Sequence, residues 1–265
     1  MRPFLRSSIG KILLPPAFVG VSVVGVWYLF AYVFLEPSSR WLLPPPHQVV
    51  TEGFGQWEHA SRMLDGTLAT AKVAVIGLVI AAVIGIVFAV TMSQSAILER
   101  GLFPFAVVLQ AIPILAIVPL IGFWFGYGLS ARVVVCVLIA VFPIIVNTLF
   151  GLQSADRGLH DLFTLSGAGR SLRLRRLMFP SSLPAMFAGL RISAGLSVVG
   201  AIVGDFYFGR GEAGIGQLLR VYASRLMGPQ LFAAVIVSSL LGVAVFTFFG
   251  WMATRVVGRW NGTAR

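Results

Sequence analysis

Six long apolar runs constrain this chain more than any other feature of its sequence. Each is close to the length of about 20 residues that an α-helix needs to cross the hydrocarbon of a bilayer. Transmembrane β-strands would be shorter and would alternate polar with apolar residues, which these runs do not do. The pattern predicts an all-α integral membrane protein with six transmembrane helices, at about 17–35, 68–92, 102–125, 133–150, 186–208 and 231–254.

The composition excludes the main soluble classes. Of the 265 residues, 58% are hydrophobic and 11% are charged, against about 25% charged residues in an average soluble domain. The net charge of +11 indicates cationic loops beside a membrane, because no basic stripe lies on a polar helix where nucleic acid would bind. The single cysteine, Cys136, lies in an apolar run and can form neither an internal disulfide nor a cysteine-based metal site.

The distribution of Lys and Arg predicts the orientation, because cytoplasmic loops carry an excess of both residues. With both termini cytoplasmic, the inner segments hold twelve of them and the outer segments hold six. We therefore expect a cytoplasmic segment at 1–16, a transmembrane domain at 17–254 and a cytoplasmic tail at 255–265. The first run has no small-x-small cleavage site after it, so we expect a retained helix rather than a signal peptide.

Prolines and paired glycines mark positions of special backbone geometry within the runs. The third run contains Pro104, Pro113 and Pro119, and proline kinks a helix because it lacks the backbone donor. We expect such a helix to be buried among neighbours, where the freed carbonyls find other partners. Two GxxxG pairs predict close helix packing or a dimer contact: Gly122 with Gly126, and Gly200 with Gly204.

The inner loop at 151–185 carries five arginines and a glycine break. From the residues alone, one interpretation is a short basic helix lying on anionic lipid, with Leu172, Leu177 and Met178 on its apolar face. The other interpretation is a docking element for a cytoplasmic partner.

This loop resembles the cytoplasmic signature loop of ABC importer permeases, which reads roughly EAA, three residues, Gly, nine residues, Ile-x-Leu-Pro. With the family's glycine on Gly167, its glutamate falls on Asp161 and its two alanines on Leu162 and Phe163. The stretch "SSLPAMFAGLRI" also resembles the residues that follow in the family. So do "LLPPPHQVV" (42–50), "IPILAIVPLIGFWFGYG" (112–128) and "FPIIVNTLFGL" (142–152).

The sequence of these stretches is similar to that of the nitrate, sulfonate and taurine type of import permease, which includes carriers of pyrimidine precursors and related heterocycles. The resemblance implies a type I importer bundle of six helices with a coupling helix at about 158–168. Asp161 retains the acid of the signature, so we expect docking, in a partner groove shaped for bulkier side chains than alanine. The implied ATPase-coupling residues are Asp161, Leu162, Phe163, Leu165, Gly167, Ala168 and Arg170.

The resemblance also implies the partners. The chain contains no GxxxxGK[ST] phosphate loop, so ATP and Mg²⁺ would be bound by a separate cytoplasmic ATPase dimer. A second permease copy, an external solute-binding protein and membrane lipid complete the expected set, with no nucleic acid. The chain itself is expected to be a transport subunit in the inner membrane of a prokaryote, without enzymatic activity, cofactor or metal.

Polar side chains inside the runs are candidates for the translocation pathway, because such groups are costly in a membrane and often functional. Lys72 and Arg191 are expected instead to reach towards the interface. Asp205 could gate the pathway, contact the binding protein or form a hydrogen bond between packed helices. The pathway candidates are Gln110, Asn147, Asp205 and Phe206.

Two alternatives to an importer subunit remain at this point. An autonomous carrier or channel would fit the composition, although no internal repeat is evident. A membrane enzyme is disfavoured because His47, His59 and His160 all lie in loops. The GxGxxG pattern at 209–214 is not expected to be a dinucleotide site, since no βαβ unit surrounds it. The stretch "GEAGIGQLL" resembles the family's stretch after helix five, which implies an outer turn and a short helix. For an importer, the expected solute is a small oxyanion or sulfonate, or a heterocycle such as a pyrimidine precursor.

Overall fold

A computed structural model of the chain describes the backbone of residues 4–257 and the side chains of residues 14–256. All regular structure in this part of the chain is helical. The α-helices are α1 (Phe4–Leu29), α2 (Pro46–Gln48), α3 (Trp57–Ser93), α4 (Ala96–Ala111), α5 (Ile114–Phe125), α6 (Leu129–Gln153), α7 (Arg157–Leu165), α8 (Arg170–Arg173), α9 (Phe179–Tyr207), α10 (Ile215–Ser224) and α11 (Gly228–Val257). Short π-helical turns at Phe30–Phe34, Val49–Phe54 and Leu174–Met178 extend α1, α2 and α8.

Five segments of the described chain are long and apolar enough to cross a membrane, and α4 with α5 makes a sixth if this bent pair is one span. The count of six therefore agrees with the sequence prediction. The five segments are Leu14–Phe34, Trp57–Ser93, Leu129–Gln153, Arg170–Tyr207 and Gly228–Val256. Since α1 begins at Phe4, the expected cytoplasmic segment at 1–16 is largely a helical extension of the first span.

The third run is a broken helix rather than one continuous helix. The axes of α4 and α5 meet at 97°, and the break lies at Ile112, whose ψ of 124° is extended. Pro113 follows, and proline disfavours the helical conformation of the residue before it. Pro104 and Pro119 stay inside α4 and α5. The expected burial is not found within this chain: the buried residues of the pair are Ala106, Val118, Ile121 and Gly122.

The chain divides into two compact units, of which the first comprises residues up to Met63 together with Leu219–Ile236. In this unit the Trp27 indole donates to the Pro44 carbonyl at 3.0 Å and packs on the Phe232 ring at 5.5 Å. Tyr222 meets His59 edge-on, and burial raises the pKa of the Tyr222 hydroxyl above its ordinary value. These contacts tie the segments of this unit together.

The second unit comprises Leu64–Leu218 and the residues from Val237 onward, and its core is the pair α6 and α9. A Cβ added at Gly200 would lie 2.8 Å from the Cα of Cys136, and one at Gly204 would lie 3.0 Å from the Cα of Arg132. The close packing predicted for this GxxxG pair is therefore confirmed. Cys136 is fully buried there, as expected of a small packing residue.

For the other GxxxG pair, the prediction of close helix packing is wrong at Gly126. Gly126 adopts φ +77° and ends α5, with no atom near the position of a Cβ. It is a helix terminus, because glycine adopts this left-handed conformation without steric cost. Only Gly122 makes a close contact, since a Cβ there would lie 2.6 Å from the Tyr127 ring.

Candidate coupling and translocation sites

Helix α7 (Arg157–Leu165) occupies the place where the sequence predicted a coupling helix. Asp156 begins it, with Oδ1 accepting from the Gly158 amide at 2.7 Å and the Leu159 amide at 3.3 Å. This side chain satisfies amides that the first turn leaves without partners. The acid at the start of the helix is therefore Asp156, whereas Asp161, expected near the start, lies in the middle.

Glycine and arginine contacts end α7 and hold the loop that follows. Gly167 adopts φ +69°, and the Ala168 amide donates to the Phe163 carbonyl at 3.0 Å. Glycine enters this left-handed conformation without the penalty of a Cβ. Arg173 donates to the Thr164 hydroxyl at 2.9 Å, so α8 is tied back to α7.

One side of α7 is apolar and is not covered by the rest of the described chain. Leu162 is 59% exposed and Leu165 is 87% exposed. Their spacing of three residues places them on one side of the helix. Asp161 and Arg170 are also exposed, whereas Phe163 and Ala168 are half-buried. Of the predicted coupling residues, Leu162 and Leu165 therefore present the largest free apolar area.

The burial of Leu177 argues against the interpretation of the 151–185 loop as a helix lying on the lipid surface. That residue is 5% exposed, in the π-helical turn that joins α8 to α9. Leu172 is exposed and Met178 is half-buried. The three residues therefore do not form one face available to lipid.

Three buried polar side chains, Thr70, Arg132 and Asp205, form a polar cluster at the other end of α6 and α9. Asp205 and Thr70 are fully buried and Arg132 is 3% exposed. Arg132 Nη1 lies 3.2 Å from Asp205 Oδ1. Thr70 Oγ1 lies 2.5 Å from Asp205 Oδ2 and accepts from the Ile215 amide at 2.9 Å. The buried carboxylate is thus paired and hydrogen-bonded, as a buried charge requires.

The polar cluster also holds the segment after α9. Arg132 Nη1 donates to the Glu212 carbonyl at 2.7 Å, and Nη2 donates to the Arg210 carbonyl at 3.0 Å. Gly214 packs directly on the Asp205 carboxylate, with no room for a Cβ. The GxGxxG pattern is therefore a turn fastened to the bundle, and α10 follows it as the predicted short helix.

Sequence reasoning missed Arg132 and Thr70. The fourth run is predicted to begin at 133, which places Arg132 in a loop, although it lies in the first turn of α6. The available signal was Asp205 itself, since a lone acid in an apolar run needs a cationic partner. Of the roles considered for Asp205, a contact between packed helices is the one that the structure shows.

The remaining pathway candidates lie in different surroundings. Gln110 lines a cavity of about 230 Å³ beside the break between α4 and α5. Asn147 donates to the Pro143 carbonyl at 2.8 Å and packs on Gly189. Phe206 is 38% exposed and contacts the Tyr207 ring. The other residues that line the Gln110 cavity are Leu109, Ile112, Ile114, Ile117, Leu138, Ile139 and Leu196.

The two cations inside the runs both have partners. Lys72 Nζ lies 3.3 Å from Glu212 Oε2 in an exposed ion pair. The Arg191 guanidinium lies 4.1 Å from the centre of the Phe246 ring. Each charge is thus stabilised by a neighbouring side chain as well as by solvent or interface.

Comparison with known proteins identifies the family. Residues 81–259 match the family described as the inner membrane component of binding-protein-dependent transport systems. The chain belongs to this family. The formylaminopyrimidine transport permease protein of Halalkalibacterium halodurans is 36% identical over 88% of this chain and 90% of the relative. The riboflavin transport system permease protein of Chloroflexus aurantiacus is 36% identical over 62% of this chain and 60% of the relative.

Solved structures agree on the fold of the permease. An amino acid ABC transporter aligns over 78% of this chain and 98% of its own, with TM-score 0.59 and 16% identity. The inward-facing MetNI methionine ABC transporter aligns over 85% of this chain and 99% of its own, with TM-score 0.56 and 20% identity. The chain therefore has the type I importer permease fold.

The family confirms the predicted class of function. The chain is an integral inner membrane protein of a prokaryote and a permease subunit of an ABC importer. It is a transport component rather than an enzyme, and the ATPase is a separate subunit. An external binding protein is the other partner that the family implies. These findings favour the importer over an autonomous carrier or channel.

Proposed function

We propose that α7 is the element through which this permease receives the work of ATP hydrolysis. The observation that carries the proposal is the uncovered apolar surface of Leu162 and Leu165 in a loop between two spans. Apolar surface exposed to water is stabilised when a partner covers it. A groove on the cytoplasmic ATPase would bury both leucines, with Asp161 at its edge.

The proposed cycle needs two permeases and two ATPases. ATP and Mg²⁺ bind to the ATPase dimer, and its closure draws the two copies of α7 together. The bundles then change between inward-facing and outward-facing states. The driving free energy is the difference in nucleotide affinity between the states, since a ligand shifts an equilibrium only through differential binding.

The broken helix supports the pairing of this permease with a second copy. Backbone outside regular helix is tolerated at membrane depth only where protein or a water-filled cavity covers it. The break at Ile112 and Pro113 lies beside the Gln110 cavity, on helices that are largely exposed in the single chain. A second permease copy would cover this surface and complete a pathway past Gln110.

The proposed solute is a small oxyanion or sulfonate, or a heterocycle such as a pyrimidine precursor. It would be delivered by the external binding protein, with both termini of the permease cytoplasmic. Support comes from relatives named for formylaminopyrimidine, for aliphatic sulfonates and for nitrate. Of these three relatives, the one named for the heterocycle formylaminopyrimidine is the most similar to this chain.

The substitution Asp161→Arg tests the coupling role of α7. The variant is expected to insert normally but to lose most of its co-purification with the ATPase and most of its binding-protein-stimulated ATP hydrolysis. The reason is that a long cation replaces a small anion beside the docking surface. Co-purification and ATP hydrolysis are measured on reconstituted vesicles.

Ser171→Arg is the matched control for this experiment. Ser171 is an exposed residue of the same loop, and its replacement adds the same cation outside α7. The control should keep ATPase binding and ATP hydrolysis near wild type. Unchanged ATP hydrolysis in Asp161→Arg, or equal losses in both variants, would remove Asp161 from the proposed coupling site.

A further inference from the structure

A second cavity, of about 240 Å³, lies next to the polar cluster and is separate from the Gln110 cavity. It is formed by α3, the first turn of α6 and the turn after α9. Charged side chains make up half of its lining, which is unusual for a membrane bundle. The lining residues are Ala69, Lys72, Val73, Leu129, Arg132, Arg210, Gly211 and Glu212.

The charges around this cavity do not cancel. Arg132 is balanced by Asp205, and Lys72 is balanced by Glu212. Among the described side chains, Arg210 has no carboxylate within salt-bridge distance, and its guanidinium lies 5.9 Å from the centre of the Tyr127 ring. One positive charge is therefore left without a partner at the rim of the cavity.

Arg132 lines the same cavity and has one donor that is not used. Its two terminal nitrogens are occupied by Asp205 and by the carbonyls of Arg210 and Glu212. Its Nε is buried and has no hydrogen-bond partner in the part of the chain that the structure describes. A buried donor without an acceptor is costly, so the contacts of the described chain do not fully satisfy the Arg132 guanidinium.

The cavity is also preorganised on the side of Arg210. Arg132 fixes the carbonyls on both sides of Gly211, and the Arg210 amide donates to the Tyr127 carbonyl at 3.1 Å. The backbone that carries Arg210 and Glu212 is thus held before any ligand arrives. The exposed Lys72–Glu212 pair is the weak part, since exposed pairs contribute little free energy.

We propose that this cavity binds a small oxyanion carried by the imported solute, such as a sulfonate or carboxylate group. Arg210 provides the positive charge that is left without a partner, and Lys72 leaves Glu212 to bind the anion. When no solute is present, Glu212 forms the ion pair with Lys72, and it therefore competes with the solute anion for this lysine. The assignment to a solute rests on the proposed importer function, whose predicted orientation places this cavity on the external face.

Calorimetric titration of the purified full-length permease in phosphatidylcholine nanodiscs tests the proposal. The probes are methanesulfonate and dimethyl sulfone, which are similar in shape but differ in charge. Methanesulfonate is expected to bind wild type, about tenfold more weakly to Arg210→Gln because a charge-assisted contact is lost, and about threefold more tightly to Glu212→Gln because the competitor is removed. Dimethyl sulfone is expected not to bind.

Several results would overturn the proposal. These are equal affinity for the two probes, absence of methanesulfonate binding, or the same methanesulfonate affinity in wild type, Arg210→Gln and Glu212→Gln. Nanodiscs that also contain phosphatidylglycerol separate the two sources of an anion. If that lipid abolishes methanesulfonate binding, the cavity holds a lipid headgroup and the solute assignment is wrong. Because no ATPase is present, failure of the coupling proposal would leave these binding results unchanged.

Discussion

The side chains at the two ends of α6 and α9 differ in how completely this chain itself provides their ionic, hydrogen-bonding and packing partners. At one end, Arg132 and Asp205 form a buried pair. At the other end, α7 leaves Leu162 and Leu165 exposed. The start of α6 at Arg132 and its end at Gln153 are about 30 Å apart along the helix.

This difference separates a structural element from a docking element. A buried charge pair whose carboxylate is paired and hydrogen-bonded inside the chain needs no partner subunit to be stable there. The exposed apolar side chains of a loop helix are not covered inside the chain, so association with a partner stabilises them. Under the proposed coupling role, the polar cluster fastens the permease at one end, and α7 is the end that docks to another subunit.

The largest expected effect comes from breaking the polar cluster. Asp205→Ala leaves Arg132 buried without its counter-ion, which costs about 3–5 kcal/mol of folding free energy. The midpoint of thermal unfolding in mild detergent should fall by roughly 10 °C.

Glu212→Ala is the matched control for Asp205→Ala, because it removes a carboxylate from an exposed ion pair close by. Exposed pairs contribute about 0–1 kcal/mol, so its midpoint should stay near wild type. If both variants unfold at the wild-type temperature, the polar cluster does not fasten the bundle.

A smaller effect is expected at the start of α7. Asp156→Ala removes the N-cap and should destabilise this helix by about 1 kcal/mol. Amide exchange of 157–165 should become about fivefold faster while the midpoint of thermal unfolding stays unchanged, because α7 lies outside the core.

Asp161→Ala is the comparison for this helix, since it removes the same charge without removing a cap. Amide exchange in Asp161→Ala should remain near wild type. Equal acceleration in the two variants would mean that charge, rather than capping by Asp156, stabilises α7.

Local patterns predicted the features that depend on nearby residues. Apolar run length predicted the spans, Gly200 and Gly204 predicted a close helix contact, and the signature loop predicted the position of α7. Each of these follows from spacing along one segment of chain.

Features that depend on distant residues could not be predicted in the same way. Arg132 and Asp205 are separated by 73 positions, so no local spacing connects them. Three prolines predicted bending in the third run, but only Pro113 breaks it, and their spacing does not distinguish it from the other two. Gly126 shows the same limit, because GxxxG spacing does not distinguish packing from a helix terminus. The orientation of the termini stays a prediction.

Hydrogen exchange of the permease, measured by mass spectrometry with and without its ATPase, tests most directly whether α7 is the incomplete end. The account predicts slower exchange in 157–165 when the ATPase is bound, with no change in peptides that contain Arg132 or Asp205. Unchanged exchange in α7, in a complex that still hydrolyses ATP, would contradict it.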